Sequence, residues 1–278
     1  MPTINTASQR GFRGLFSGFA ITSLLFAGTV ATNAAHAQEK ATAVMQKADA
    51  DSKTYLLKRV FKKGEINRYK FSMNMTMTPP GSTDAIQIVM KATSKETVKS
   101  AEADGAYSVT TQFESMVMNI QGMERDMTSS LPITTKKRDK DGKITTKSEG
   151  GDPQSAQQFA SMGAYSELAE KAFPSKAVKI GEEWETHSKL PSPDGSGEVE
   201  VISTSKLVGK EILDGVKALK ISTKVKTSGI ADSTQESVIF IEEVTGKPLK
   251  MTLDSDIEAQ GIPMKIKMTM KVVVPEAK

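Results

Sequence analysis

The sequence predicts a mainly β protein of the α+β class, built on a large curved antiparallel sheet or half-barrel with one helical segment near residues 153–173. Between Tyr55 and Val274, apolar and polar residues alternate with a period of two in one stretch after another. Such alternation is typical of antiparallel strands with one dry face and one wet face. Turn-forming dipeptides such as Asp104-Gly105 and Asp214-Gly215 separate the stretches, and their spacing indicates roughly ten to twelve strands.

The first 37 residues have the three parts of a secretory signal peptide. Arg10 and Arg13 are its positive charges, an apolar run extends over residues 15–30, and Ala35-His36-Ala37 is a small-x-small cleavage site. The apolar run is shorter than the roughly 20 residues that a membrane-spanning helix needs. We therefore expect a signal peptide over 1–37, cleavage after Ala37, and a flexible lead-in over 38–53.

These features predict a bacterial protein that the Sec route exports to the periplasm or the medium. Arg10 and Arg13 are not adjacent, which argues against twin-arginine export. The chain has no cysteine, so lipid cannot be attached to a cysteine at the cleavage site and a lipoprotein is not expected. No later stretch is long and apolar enough to predict a membrane span after cleavage.

The first and the last alternating stretches carry the clearest apolar faces, at odd positions in 69–77 and at even positions in 264–274. Between Phe113 and Ile120 the apolar positions change parity, which indicates a β-bulge. We expect the two apolar faces to line the inner surface of the sheet. The residues predicted to line a ligand site there are Tyr69, Phe71, Met73, Met75, Met77, Met264, Ile266, Met268 and Met270.

A helical segment is expected between two groups of strands. Asp152 is a good N-cap, Pro153 is a favourable first helical residue, and Pro174 ends an apolar pattern with helical spacing. We expect this segment, residues 153–173, to pack on the concave face of the sheet. Gly163 lies inside the pattern, so two shorter helices are an alternative.

The β-rich domain, residues 54–278, contains two stretches with similar punctuation, 54–150 and 175–278. Each has a Gly-Glu pair, a strand, a Ser-Lys pair and an Asp-Gly turn in the same order and at similar intervals. Internal duplication would explain this order, and so would any meander of hairpins. Both explanations remain open at this stage.

The stretch from Phe173 to Trp184 resembles the P-x-K-x-V-x-x-G-x-x-W segment of an uncharacterised family of exported, β-rich bacterial proteins. Residues 206–211, Gly215 and residues 245–249 fit the same pattern, so the resemblance covers mostly the second half of the chain. It implies no catalytic residues. The overall plan is also similar to the lipoprotein-carrier folds of the envelope, in which a curved antiparallel sheet holds an acyl chain against helices; this likeness is an analogy of architecture.

Composition and motifs give little support to several classes of function. Removal of Arg10 and Arg13 lowers the formal net charge of +4 by two, so no nucleic-acid partner is expected. After cleavage His187 is the single histidine, and a Ser-His-acid triad would have to use it. Ser94-Lys95 and Ser205-Lys206 are adjacent residues on predicted strands, so their side chains point to opposite faces and cannot act together. We expect no enzyme activity.

No cofactor is predicted. One histidine and no thiolate cannot form a usual zinc site. Residues 139–143 have two alternating aspartates and a glycine but lack the later glutamate of a calcium loop, so they indicate a hairpin turn.

The 15 methionines are the unusual feature of the composition. Alternating pairs such as Met116-x-Met118 and Met268-x-Met270 place thioethers on one face of a strand. Thioethers bind Cu(I), adapt to apolar ligands of varied shape, and also serve as flexible fillers of a protein core. The stripes continue into Tyr69, Phe71 and Val272, which favours packing over a metal site.

The leading prediction is an exported, non-enzymatic envelope protein that binds a lipid or other apolar small molecule. The alternative is a structural or protein-interaction module, with an envelope protein as partner and no small-molecule site. A periplasmic copper binder is the third hypothesis.

Overall fold

The computed structural model describes residues 53–79, 81–152, 173–191, 198–228, 233–259 and 262–273. Twelve strands in these ranges form one sheet in which all pairs are antiparallel. The strands are β1 (Ile66–Met77), β2 (Ile86–Ala101), β3 (Tyr107–Ile120), β4 (Met123–Asp126), β5 (Ile133–Arg138), β6 (Ile144–Glu149), β7 (Glu183–Pro191), β8 (Glu198–Leu213), β9 (Val216–Ser228), β10 (Ser233–Glu242), β11 (Pro248–Ala259) and β12 (Ile262–Val272).

The order across the sheet is β6-β5-β3-β2-β1-β12-β11-β10-β9-β8-β7, with short β4 paired to β3. The first half of the chain therefore runs from the centre of the sheet to one edge, and the second half runs from the other edge back to the centre. The sheet is curved and open, with β6 and β7 as its edges in the described part of the chain. The predicted curved antiparallel sheet is confirmed.

The first strand and the last strand meet at the centre of the sheet. Met73 lies opposite Met268, and Met77 lies opposite Met264. Odd positions of β1 and even positions of β12 consequently share one face, which we call the inner face. The two apolar stripes found in the sequence thus form one continuous surface.

The predicted change of parity in β3 is a β-bulge. Thr93 pairs with Ser115, but the next residue, Ser94, pairs with Phe113, so Glu114 is the extra residue. The bulge turns the even positions that follow it, beginning with Met116, toward the inner face.

The strand triplets β1–β3 and β7–β9 share local details. The Gly64 N–H donates to the Val98 carbonyl at 2.9 Å, and the Gly181 N–H donates to the Leu207 carbonyl at 2.7 Å. In each triplet a bulge follows directly, with Lys99 as the extra residue in β2 and Val208 in β8. These matches favour internal duplication, which stays a prediction.

Residues 53–61, which we call the belt, run along one end of the inner face. The backbone of Tyr55 exchanges two hydrogen bonds with Val178, at 2.8 and 2.9 Å. Farther along, the Val60 N–H donates to the Thr245 carbonyl at 2.7 Å, and the ring of Phe61 lies 4.4 Å from that of Tyr107. The belt thereby links elements from both halves of the sheet.

Helical structure in the described ranges consists of one 3₁₀ turn, Thr128–Ser130. The predicted helical segment 153–173 lies outside the described residues except for Phe173. No described helix is long and apolar enough to cross a bilayer.

Docking of the belt depends on glycine at position 246. Gly246 has φ +64° in the turn between β10 and β11, and a Cβ there would lie 2.3 Å from the Lys58 carbonyl oxygen. Gly215, in the β8–β9 hairpin, also has a positive φ, +80°, but nothing lies within 4 Å of its Cβ position.

We predict that Gly215→Ala lowers the free energy of unfolding by about 1 kcal/mol, which is the strain of a positive φ in a residue with a Cβ. Gly246→Ala should cost at least about 2 kcal/mol more, because the belt must also move away from the turn. Urea unfolding followed by circular dichroism measures both values. Equal losses for the two variants would mean that the belt does not pack on Gly246.

Candidate functional site

Ten methionines form a continuous patch on the inner face, on the five adjacent strands β3, β2, β1, β12 and β11. Nine of them are between 0 and 8% exposed, and Met118 is half-buried. The methionine patch consists of Met73, Met75, Met77, Met90, Met116, Met118, Met251, Met264, Met268 and Met270.

The strand register places several thioethers side by side. Met73 lies opposite Met90 on one neighbouring strand and opposite Met268 on the other, and Met118 lies opposite Met90. Directly opposed Cβ atoms in an antiparallel pair are about 4.5–5.5 Å apart, so these side chains contact each other across four strands.

All nine residues predicted to line a ligand site lie on the inner face, eight of them buried and Phe71 half-buried. The pairing of β1 with β12 brings them together. Their role as ligand contacts stays a prediction. Met90 and Met251 belong to the same patch but were missed, although each alternates with branched apolar neighbours in its own strand, a signal that could have located them.

The other half of the inner face, on β8 to β11, contains a polar patch. Along one cross-strand row Ser237, Thr223 and Ser205 are successive neighbours, and in the next row Ser255 lies opposite Gln235. All five are at most 5% exposed. Sequence analysis missed this patch, because buried serine and threonine positions look like wet-face positions.

Hydrogen bonding within the polar patch is incomplete. The hydroxyls of Ser205 and Thr223 lie 2.5 Å apart and bond to each other. The hydroxyls of Ser237 and Ser255 are buried and have no hydrogen-bond partner among the described residues. Buried polar groups of native proteins are nearly always paired, so these two atoms need an explanation.

Several described segments pack against the inner face. The belt contributes Tyr55 and Leu57, both buried, and Val178 joins them from the strand bridge. Leu131 and Phe173 are half-buried against the same cluster. The belted end of the inner face is therefore covered by residues of the chain itself.

A charged cluster occupies the belted end. The Arg59 guanidinium lies 3.3 Å from a Glu96 carboxylate oxygen and 3.6 Å from a Glu65 oxygen. The Asn67 amide donates to both carboxylates, at 3.0 and 3.2 Å. The side chains of Arg59, Glu65 and Glu96 are only 13–21% exposed, so the cation and the two anions stabilise each other away from bulk water.

Tyr69 lies between the charged cluster and the methionine patch. Burial, together with the nearby Glu96 carboxylate, raises the pKa of the Tyr69 phenol far above its usual value. Its hydroxyl is therefore neutral, and a hydrogen-bond donor, at neutral pH.

The opposite, outer face of the sheet carries solvent-exposed charges. Lys267 lies 3.1 Å from Asp254 on the neighbouring strand, and Lys224 lies 2.7 Å from Glu236. Such exposed pairs contribute little to stability. These pairs lie on the outer face, which also carries a small buried apolar cluster around Phe240.

The residues considered for catalysis in the second half of the sheet lie on β7 and β8. His187 lies on β7 with its side chain 57% exposed; its Nε2 is 2.7 Å from Glu185, and its Nδ1 is 3.7 Å from Glu200. Ser205 is buried on the inner face, whereas the Lys206 ammonium is half-exposed and 2.9 Å from Glu183.

Residues 139–143 form the turn between β5 and β6, as predicted. The carboxylate of Asp139 accepts hydrogen bonds from the Asp141 and Lys143 amides, at 3.0 and 2.8 Å. A surface cavity of about 510 Å³ lies beside this turn, away from the methionine patch, and Lys99, Tyr107 and Arg138 are among its lining residues.

No protein-family model and no curated protein matches the chain. Among solved structures it is similar to the hypothetical lipoprotein YmcC from Escherichia coli K12, with 14% identity, coverage of 76% of this chain and 85% of that chain, and a TM-score of 0.28. DynF from the dynemicin biosynthesis pathway of Micromonospora chersina is 8% identical, with coverage of 82% and 89% and a TM-score of 0.21.

A third similar structure is a "putative outer membrane lipoprotein-sorting protein domain" from Vibrio parahaemolyticus. It is 10% identical, with coverage of 76% of this chain and 87% of that chain and a TM-score of 0.18. Because all three TM-scores and identities are low, these likenesses do not bear on the function of this chain.

We predict that the pKa of His187 lies above its usual value, because the Glu185 carboxylate bonds to the ring and stabilises the imidazolium. The stabilisation that protonated His187 gains from Glu185 is therefore fully present below the unfolded-state pKa of the histidine, and it is lost as the pH rises through the folded-state pKa. Proton NMR titration of the mature protein measures this pKa directly.

Glu185→Gln should lower the pKa of His187. Glu183 is on the same strand as Glu185 but is paired with Lys206 of β8, so Glu183→Gln should leave the pKa of His187 unchanged. An equal effect of the two substitutions would show that the local bond to Glu185 is not the cause.

Proposed function

We propose that this chain is a non-enzymatic protein of the bacterial envelope whose inner sheet face binds a lipid or another apolar ligand. The observation that carries the proposal is the methionine patch, which is continuous over five strands of an open sheet. Methionine has an unbranched, polarisable side chain that adapts to ligands of different shape and is favoured on promiscuous binding surfaces.

The composition of the inner face changes from one half of the sheet to the other. On β8, β9 and β10 its most deeply buried apolar side chains are branched, such as Leu207, Ile221 and Ile241, which are 0–1% exposed. Branched apolar side chains are suited to a closely packed protein interior. The use of methionine on the adjoining five strands therefore supports a surface that repacks around a guest.

Export supports a place in the envelope. The charged start, apolar run and cleavage triplet of residues 1–37 are features of the sequence, and those residues lie outside the described ranges. The surroundings of His187 support a non-enzymatic role, because its near partners are the carboxylates of Glu185 and Glu200 rather than a serine nucleophile.

A protein-interaction module without a small-molecule site is the second candidate. Two observations favour it: the methionines are almost fully buried, and large apolar side chains are exposed at the belted end. Leu56 is 62% exposed, Ile212 is 72% exposed and Val244 is 83% exposed. A protein partner would cover such residues.

Binding of an apolar probe distinguishes these candidates. We predict that the mature protein takes up the uncharged dye N-phenyl-1-naphthylamine in a saturable manner, with a rise in dye fluorescence. Met268→Gln places an amide inside the patch and should weaken binding about ten-fold, which corresponds to 1.4 kcal/mol. Thr269→Gln, on the exposed outer face of the same strand, is the matched control and should bind as the wild type does.

The folded state of each variant is checked by circular dichroism and thermal unfolding, and lipids are extracted from protein purified from the periplasm for mass spectrometry. A wild-type protein that takes up no dye and carries no lipid would contradict the proposal. The protein-interaction module would then be the remaining candidate.

The row of Met73, Met90 and Met268 also allows a test of the copper hypothesis. Leucine conserves the apolar volume but supplies no sulfur ligand. We predict that the variant with leucine at all three positions retains dye binding to within about three-fold, because methionine–leucine exchange usually costs little. Binding of Cu(I) by the wild type that is lost in this variant would instead support a metal site.

A further inference from the structure

We infer that the ligand of the inner face is an acyl compound whose uncharged polar head, an ester or amide group, lies against the polar patch while its chain lies over the methionine patch. This inference rests on the proposed function and specifies the chemistry of the guest. Its starting point is two of the buried hydroxyls that have no hydrogen-bond partner among the described residues, those of Ser237 and Ser255.

Ser237 and Ser255 are only 2 and 3% exposed, and their hydroxyls lack hydrogen-bond partners among the described residues. A buried hydroxyl that loses its bonds to water and gains none in return destabilises the folded state. An alanine at either position would avoid this cost in a purely structural core. A ligand that accepts their hydrogen bonds explains why hydroxyls are present.

The hydroxyls of Ser237 and Ser255 are close enough to donate hydrogen bonds to the same polar group of a ligand. Ser237 lies opposite Leu253, and Ser255 is two residues farther along the same strand, so the serines are diagonal neighbours on the inner face. Diagonal neighbours are about 7–8 Å apart at their backbones, which lets two short side chains converge on the two oxygens of an ester. The bonded Ser205 and Thr223 pair uses one hydroxyl hydrogen and retains a second donor.

The polar patch is formally neutral. From β7 to β12, the cross-strand rows that contain Ser237 and Ser255 hold no charged side chain. Burial of a carboxylate or phosphate among hydroxyls without a cation is strongly unfavourable. An ester or amide head therefore fits the patch, and an ionised head does not.

The rows of the sheet connect the two patches. The row that contains Ser237 continues through Leu253, Met268, Met73, Met90 and Met118. Strands are about 4.8 Å apart, so this row extends about 24 Å from β10 to β3. The acyl chains of one membrane leaflet occupy roughly 15 Å, so the row is long enough for a full-length chain.

The test uses two ligands with the same chain, methyl oleate and oleate, which compete with N-phenyl-1-naphthylamine. We expect wild-type protein to bind the uncharged ester more tightly than the carboxylate. The double variant Ser237→Ala/Ser255→Ala should lose about ten-fold in affinity for methyl oleate, because two hydrogen bonds are removed, while its affinity for the dye stays unchanged. Ser222→Ala, on the outer side of β9, is the control and should change neither.

Thermal unfolding of the ligand-free protein gives a second measurement. Because the two hydroxyls are unpaired, their removal should raise the Tm of the double variant by about 2–4 °C relative to Ser222→Ala, which corrects for the β propensity of alanine. Hydroxyls that have a structural role would instead lower the Tm on removal, and that result would overturn the inference.

The outcomes separate this inference from the proposed function. If the wild type binds neither the dye nor either oleyl ligand, both are wrong. If it binds the dye but prefers oleate, or if the double variant keeps its affinity for methyl oleate, the polar-head inference is wrong and the apolar binding face stands.

Discussion

The pairing of β1 with β12 is the constraint on which the rest of the structure depends. These strands join the two halves of the sheet, and their opposed residues, such as Met73 and Met268, are nearly 200 positions apart in the sequence. Closing so long a loop costs conformational entropy, which burial of the facing apolar side chains helps to offset. Because both strands contribute thioethers, the methionine patch exists only when this long-range pair has formed. Stability and the proposed binding therefore depend on the same contact.

The belt also connects the two halves of the sheet. It contacts the second half of the sheet through Tyr55 and Val60 and the first half through Arg59 and Phe61. The Arg59 cation lies between the two half-buried carboxylates of the charged cluster, so its loss would leave them with weaker compensation beside the apolar face, from Lys247 at 4.0 Å from Glu65. The belt thus ties the two halves together at one end, in addition to the central strand pair.

Alternation in the sequence was sufficient to predict the strands and the faces of β1 and β12, and the parity change at residues 113–120 located a bulge. The pairing of the first strand with the last could not be predicted, because strand order depends on contacts between distant segments. The polar patch was also missed, since Ser237 and Ser255 occupy inner positions with residues that usually mark an exposed face. A period of two shows that two faces exist, but it does not show which polar residues are buried.

Under the proposed function, the two parts of the inner face have complementary properties for one kind of ligand. Flexible thioethers tolerate chains of different length and saturation, because each can change its rotamer at small cost. Short hydroxyl side chains on paired strands have fixed positions, so they discriminate among polar groups by geometry and by charge. A surface that joins these parts is permissive toward the chain and selective toward the head. In this proposal, the hydroxyls that lack partners among the described residues lower the stability of the ligand-free protein, and the free energy recovered when they bond to the ligand adds to the affinity. The proposal therefore links the affinity for the head group and the stability of the ligand-free protein to the same two residues.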